Sequence, residues 1–166
     1  MQAQPILKVV LYYGIIIYFV ILPFMLWRLI TVEVKPPVYH TMAVLLAPCS
    51  LCVVSYLNVE KNPNQVLLYL LYICVLASFV FILTRLPKFF SFPFTPGFAG
   101  MTFPMCIGIV ATDKMSGYFA AAGNEMLAAW TGQLKGIQIY LTTMIVGYVL
   151  LRFLMMALRT DQTQKS

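Results

Sequence analysis

Residues 62–84 read NPNQVLLYLLYICVLASFVFILT, with Lys61 before them, Arg85 after them and no charged side chain between. A helix needs about 20 apolar residues to cross the hydrocarbon core of a bilayer. A stretch of that length closed at both ends by a charge reads as a membrane span. The same punctuation recurs on either side. Lys8 and Arg28 bracket Val9–Trp27, Lys35 and Glu60 bracket Pro36–Val59, and Lys88 and Asp113 bracket Phe89–Thr112. A last run starts near Gly136 and reaches Leu158, broken only by Arg152, which can snorkel to the headgroups. The predicted fold is all-α, an integral membrane helical bundle of about five transmembrane helices. It forms one domain over 1–166, with spans near 9–30, 38–59, 64–85, 92–112 and 136–158. Residues 115–134 are rich in alanine and glycine and carry Asn124 and Glu125. They read as an interfacial segment or a lead-in to the last helix.

Composition excludes most other classes. Hydrophobic residues make up 61% of the chain and charged residues 10%, with a mean hydropathy of +0.88. Soluble domains carry roughly 25% charged residues, so membrane lipid must cover this surface instead. The net charge of +6 comes from single basic residues between apolar runs. No cluster resembles a phosphate-binding patch, so no nucleic acid is expected as a partner. The first apolar run is too long for a signal core, and no small-residue cleavage site follows it.

The basic residues instead set orientation. With five spans and a cytoplasmic C-terminus, Arg28, Lys35, Arg85, Lys88, Arg152, Arg159 and Lys165 fall inside. Lys8, Lys61, Lys114 and Lys135 fall outside. The positive-inside rule favours that arrangement.

Proline interrupts three spans, at Pro23, Pro48 and Pro104. Each removes a backbone donor and frees a carbonyl one turn earlier. Pro23 lies near a helix end, whereas Pro48 and Pro104 sit centrally among small and polar residues. Two readings fit the latter pair: helices kinked for close packing, or pore helices that show polar backbone to a solute. Titratable groups are scarce. His40, the only histidine, falls near the interface, and no carboxylate lies near the centre of a span, so no proton relay is visible. An uncharged, aromatic-lined path with broken helices suits passive passage of a small anion. Cys49 and Cys52 form a C-x-x-C, but all four cysteines lie inside apolar runs. A redox thiol needs an activated, water-accessible thiolate, so packing is the simpler role. No metal, cofactor or catalytic group is indicated, and the chain does not read as an enzyme.

Two stretches carry a resemblance. Met42-Ala43-Val44-Leu45-Leu46-Ala47-Pro48-Cys49-Ser50 resembles the "APPS" helix of the tellurite-resistance/dicarboxylate transporter family, which includes bacterial TehA-like proteins and plant slow anion channels. Phe98-Ala99-Gly100-Met101-Thr102-Phe103-Pro104-Met105 resembles that family's "WWAYTFPM" helix. Order and spacing agree, as does the Pro36-Pro37 loop before the first motif. The resemblance runs from the first helix to Arg159. It implies half, helices six to ten, of a ten-helix TehA-like pore in a trimeric assembly. Phe103 then matches the pore gate and Pro48 and Pro104 the pore-helix kinks, with Ser50, Phe98 and Thr102 lining the path. The implied cargo is a small anion of the tellurite, C4-dicarboxylate or sulfite type. The implied partners are an N-terminal half or full-length subunit, or further copies of the chain, and the location is the bacterial inner membrane. Phe98 and Gly100 stand where the family has Trp and Ala, and Cys49 where it has the second Pro, departures that bear on pore width and gate detail and not on the family. The alternatives are a membrane thiol oxidoreductase using Cys49 and Cys52, and a non-conducting assembly subunit or remnant.

Overall fold

The computed structural model describes residues 3–31, 42–91 and 94–163, with the side chains of 3, 30 and 159–163 left aside. His40, Lys35, Lys165 and the Pro36-Pro37 loop lie outside these residues. The described part is all-α, with no strand. Five helices follow in order: α1 (Ala3–Thr31), α2 (Leu46–Val59), α3 (Gln65–Ser91), α4 (Thr102–Ala121) and α5 (Glu125–Thr163). The stretches Gln4–Leu29, Met42–Val59, Gln65–Ser91 and Glu125–Leu158 are long and apolar enough to cross a membrane.

The contacts fix the directions. Lys8 near the start of α1 pairs with Glu60 at the end of α2 at 2.8 Å, and the Tyr12 and Tyr56 rings meet edge to face at 6.4 Å. α1 is therefore antiparallel to α2. Leu11, Ile15 and Tyr18 form its buried stripe, at the spacing of one helical face. A tight turn joins α2 to α3. The Asn64 side chain accepts from the Val66 amide at 3.0 Å, and the Asn64 amide donates to the Tyr56 hydroxyl at 2.9 Å. This caps α3 in the manner that favours Asn at such positions. Leu46, Cys49, Val53 and Tyr56 of α2, with Leu68, Leu71, Val75, Phe79 and Ile82 of α3, supply the middle of the core.

α4 and α5 form a second antiparallel hairpin. The amides of Ala122, Gly123 and Asn124 donate to the Tyr118, Ala120 and Phe119 carbonyls at 2.9, 3.1 and 2.9 Å. Gly123 has φ +74°, a left-handed conformation that suits glycine at a helix C-terminus. Residues 115–134 thus contain the end of α4, this turn and the first part of α5. The turn leaves the helices close enough for the Ser116 hydroxyl to donate to the Ala128 carbonyl at 3.1 Å. α2 and α4 run parallel and touch. A Cβ at Gly108 would lie 3.1 Å from Leu46 Cδ2, so the missing side chain permits the approach.

Both of these parallel helices begin in the same way. A 3₁₀ turn over 42–45 leads into α2, and a 3₁₀ helix, Pro96–Met101, leads into α4. Pro48 and Pro104 each occupy the third position of the α-helix that follows. The break expected at mid-span therefore takes the form of a change of winding, at a first turn where proline lacks no required donor. At the same end of the bundle, Phe90, Phe94, Phe98, Tyr148 and Phe153 cluster with ring centroids 5.0–6.4 Å apart. Arg152 donates from Nε to the Tyr148 hydroxyl at 3.1 Å. Aromatic rings with a cation alongside are what a membrane–water interface favours.

Candidate pore face

α4 has one face turned away from the bundle. Phe103, Cys106, Val110, Asp113 and Gly117 are all exposed, at alternating spacings of three and four that keep them on one side of a helix. Phe103 is 57% exposed. Asp113 is paired with Lys135 of α5 at 2.8 Å, with side-chain exposures of 59% and 34%.

Depth is what makes this pair informative. The Phe119 ring stacks on Tyr69, in the second turn of α3, at 5.9 Å. Asp113 precedes Phe119 by six residues on α4, about 9 Å deeper along the axis. The carboxylate lies about two turns before the end of α4 and lines the same polar cleft as Glu60 and Lys61 at the end of α2. The face of α4 that carries it opens onto that cleft.

The structure distributes the sequence-derived candidates unevenly. Thr102, Phe103 and Pro104 come together at the start of α4. Pro104 is buried, and the Thr102 hydroxyl donates to the Ala99 carbonyl at 2.8 Å. That leaves Phe103 as the exposed side chain of the three-residue motif. Ser50 is fully buried and donates to the Leu46 carbonyl at 2.7 Å. Phe98 is fully buried within the aromatic cluster. Pro48 is half-buried and lines an apolar groove of about 500 Å³ between α1 and α2, with Gly14, Ile17, Leu51, Cys52 and Ser55. Ser50 and Phe98 thus show no surface in this chain, and Pro48 faces α1.

A polar cleft of about 740 Å³ opens at the opposite end from the aromatic cluster. Leu57, Glu60, Lys61 and Pro63 form one wall, and Asp113, Lys114, Gly117 and Tyr118 the other. The exposed face of α4 runs directly into it through Asp113 and Gly117. In the sequence alone, Glu60, Lys61 and Asp113 mark span boundaries, and Lys61 and Lys114 count toward orientation. The Gly123-Asn124 turn signal, which extends α4 to Ala121, could have placed Asp113 and Lys114 on the face of Phe103.

The voltage-dependent anion channel profile, SLAC1, matches residues 6–160. The chain belongs to the voltage-dependent anion channel family. The match reaches from α1 to α5 and includes α2 and α4, which carry Pro48 and Pro104. No curated protein and no solved structure matches the chain. Membership agrees with the relationship expected from the motifs at 42–50 and 98–105, and with an integral membrane location.

The cysteines fit a channel family better than a thiol enzyme. Cys49 is fully buried, with its thiol directed at the Leu46 carbonyl at 3.1 Å and the Ser78 hydroxyl at 3.8 Å. Cys52 lines the apolar groove against α1. Among the described residues, no group of three or more His, Cys, Asp or Glu could hold a metal ion.

Proposed function

We propose that this chain carries small anions across the membrane along the exposed face of α4, with Phe103 closing the path. The observation that carries the reading is the occupancy of that single face. It bears a large exposed ring near one end and, about 15 Å further along, an ion pair on the wall of the polar cleft. A hydrophobic ring at a constriction gates by excluding water. Charges beyond it mark where water returns.

The open face of α4 does not enclose a path alone. α1 and α5 also leave most of their apolar surface uncovered, including Val9, Tyr13, Trp27, Trp130 and Tyr140. On this reading α2 and α4 are inner helices of a larger ring, as in the second half of a TehA-like subunit. The rest comes from an N-terminal half, a full-length subunit or further copies in a trimer. The C-terminus then lies in the cytoplasm of a bacterial cell, which puts Arg28, Arg85, Lys88 and Arg152 inside.

Reconstitution tests the reading. The purified chain, alone and co-expressed with a candidate upstream half, goes into vesicles loaded with nitrate, sulfite or succinate. Flux of at least one of these anions, driven by a potassium diffusion potential, is the expected result. A stable complex without flux under any combination would favour the non-conducting subunit.

A further inference from the structure

The charge of the polar cleft differs from what its lining suggests. Glu60, Lys61, Asp113 and Lys114 all lie on its walls, and their formal charges cancel. Both carboxylates, however, are held by lysines that do not line the cleft. Glu60 accepts from Lys8 of α1 at 2.8 Å and from the Tyr12 hydroxyl at 3.3 Å. Asp113 accepts from Lys135 of α5 at 2.8 Å. The Lys8 ammonium beside Glu60 also holds its carboxyl below the ordinary value, so it stays ionised and paired at neutral pH. Lys61 and Lys114 have no ion-pair partner among the described residues.

Lysines near helix C-termini often bind the last carbonyls, which would give these two a purely structural role. The geometry does not support it. At the end of α4 the Tyr118, Phe119 and Ala120 carbonyls already accept the Ala122, Asn124 and Gly123 amides, and Glu60 N donates to the Tyr56 carbonyl at the end of α2. Two lysines without an ion-pair partner among the described residues therefore line one concave space of about 740 Å³ at the end of the exposed α4 face. Clefts lined by one sign of charge raise the local concentration of the opposite ion.

We propose that this cleft is an anion-collecting mouth, in which Lys61 and Lys114 hold small inorganic anions loosely at the end of the molecule opposite its C-terminus. The proposal deepens the reading of α4 as an anion path and rests on it for its purpose, but not for its electrostatics. Lysine acts as a point charge, so the mouth selects by charge and not by shape. The ion pairs Lys8–Glu60 and Lys135–Asp113 keep the mouth positive by masking its two acids.

The test uses the full chain in phosphatidylcholine nanodiscs. Trp27→Phe and Trp130→Phe remove the native indoles, and Ala121→Trp places one on the cleft wall. Quenching by iodide is compared with quenching by neutral acrylamide at about 10 mM salt, where screening is weak. Lys61→Gln with Lys114→Gln is expected to lower the iodide-to-acrylamide ratio about threefold, and Lys61→Arg with Lys114→Arg to retain it. An unchanged ratio in the Gln variant overturns the proposal. The measurement needs no conduction. A ratio that falls in a protein without flux supports the mouth and removes the path. A ratio that stays level in a conducting protein removes the mouth alone.

Discussion

Phe103→Ala is expected to raise anion flux through the reconstituted assembly by about tenfold or more, a barrier lowered by at least about 1.4 kcal/mol. The ring is the second residue of α4 and points away from the bundle. Its base is well anchored, because Pro104 and Met105 beside it are buried and the Thr102 hydroxyl is tied back to Ala99. A side chain fixed at its root and exposed at its tip can occlude a path without being part of the core. A buried Phe→Ala change costs about 3–5 kcal/mol. This ring is more than half exposed, so truncation should cost the fold far less. Thermal unfolding in detergent, measured alongside flux, separates the two roles. Lost stability with unchanged flux would make Phe103 a packing residue.

The second large effect lies at the ion pair. Lys135→Gln is expected to lower anion flux about tenfold, and Asp113→Asn in the same chain to restore it. Without Lys135, the Asp113 carboxylate stands unpaired on the proposed path. A unit charge about 6 Å from a passing anion costs between about 0.7 and 3 kcal/mol as the effective dielectric falls from 80 to 20. The double variant removes both charges and should recover most of the flux. Unchanged flux in Lys135→Gln would place the pair away from the route. Failure of Asp113→Asn to rescue would point to a structural role for Lys135.

The architecture was readable because charges interrupt apolar runs in this chain, and hydrophobic length is the strongest signal a membrane helix gives. Boundaries were less readable. The apolar run before Asp113 suggested a span near 92–112, but the α-helix occupies Thr102–Ala121. A 3₁₀ helix takes the Pro- and Gly-bearing stretch before it, and nothing in residues 113–121 breaks the helix before Gly123. Reading Asp113 as a terminus hid its place on the face of Phe103. Lys135 likewise precedes the apolar run that starts near Gly136, whereas α5 begins ten residues before it, at Glu125. Hydropathy treats each charge as a boundary, whereas Asp113 and Lys135, paired across α4 and α5, both lie within helices. Ser50 and Phe98 mark a second limit. Ser50 falls on α2 and Phe98 on the 3₁₀ helix before α4, and which way each side chain turns depends on neighbours that a single run of residues does not show.

The most direct test of the α4 path uses Cys106, an exposed native thiol on the same face as Phe103 and Val110. In a Cys49→Ala, Cys52→Ala, Cys74→Ala background, the assembled protein in its membrane is treated with an anionic, membrane-impermeant methanethiosulfonate. A water-filled anion path predicts that Cys106 is modified readily and that modification slows when permeant nitrate is present. A thiol that reacts only with a lipid-soluble maleimide would show that this face of α4 meets lipid, and would contradict the account.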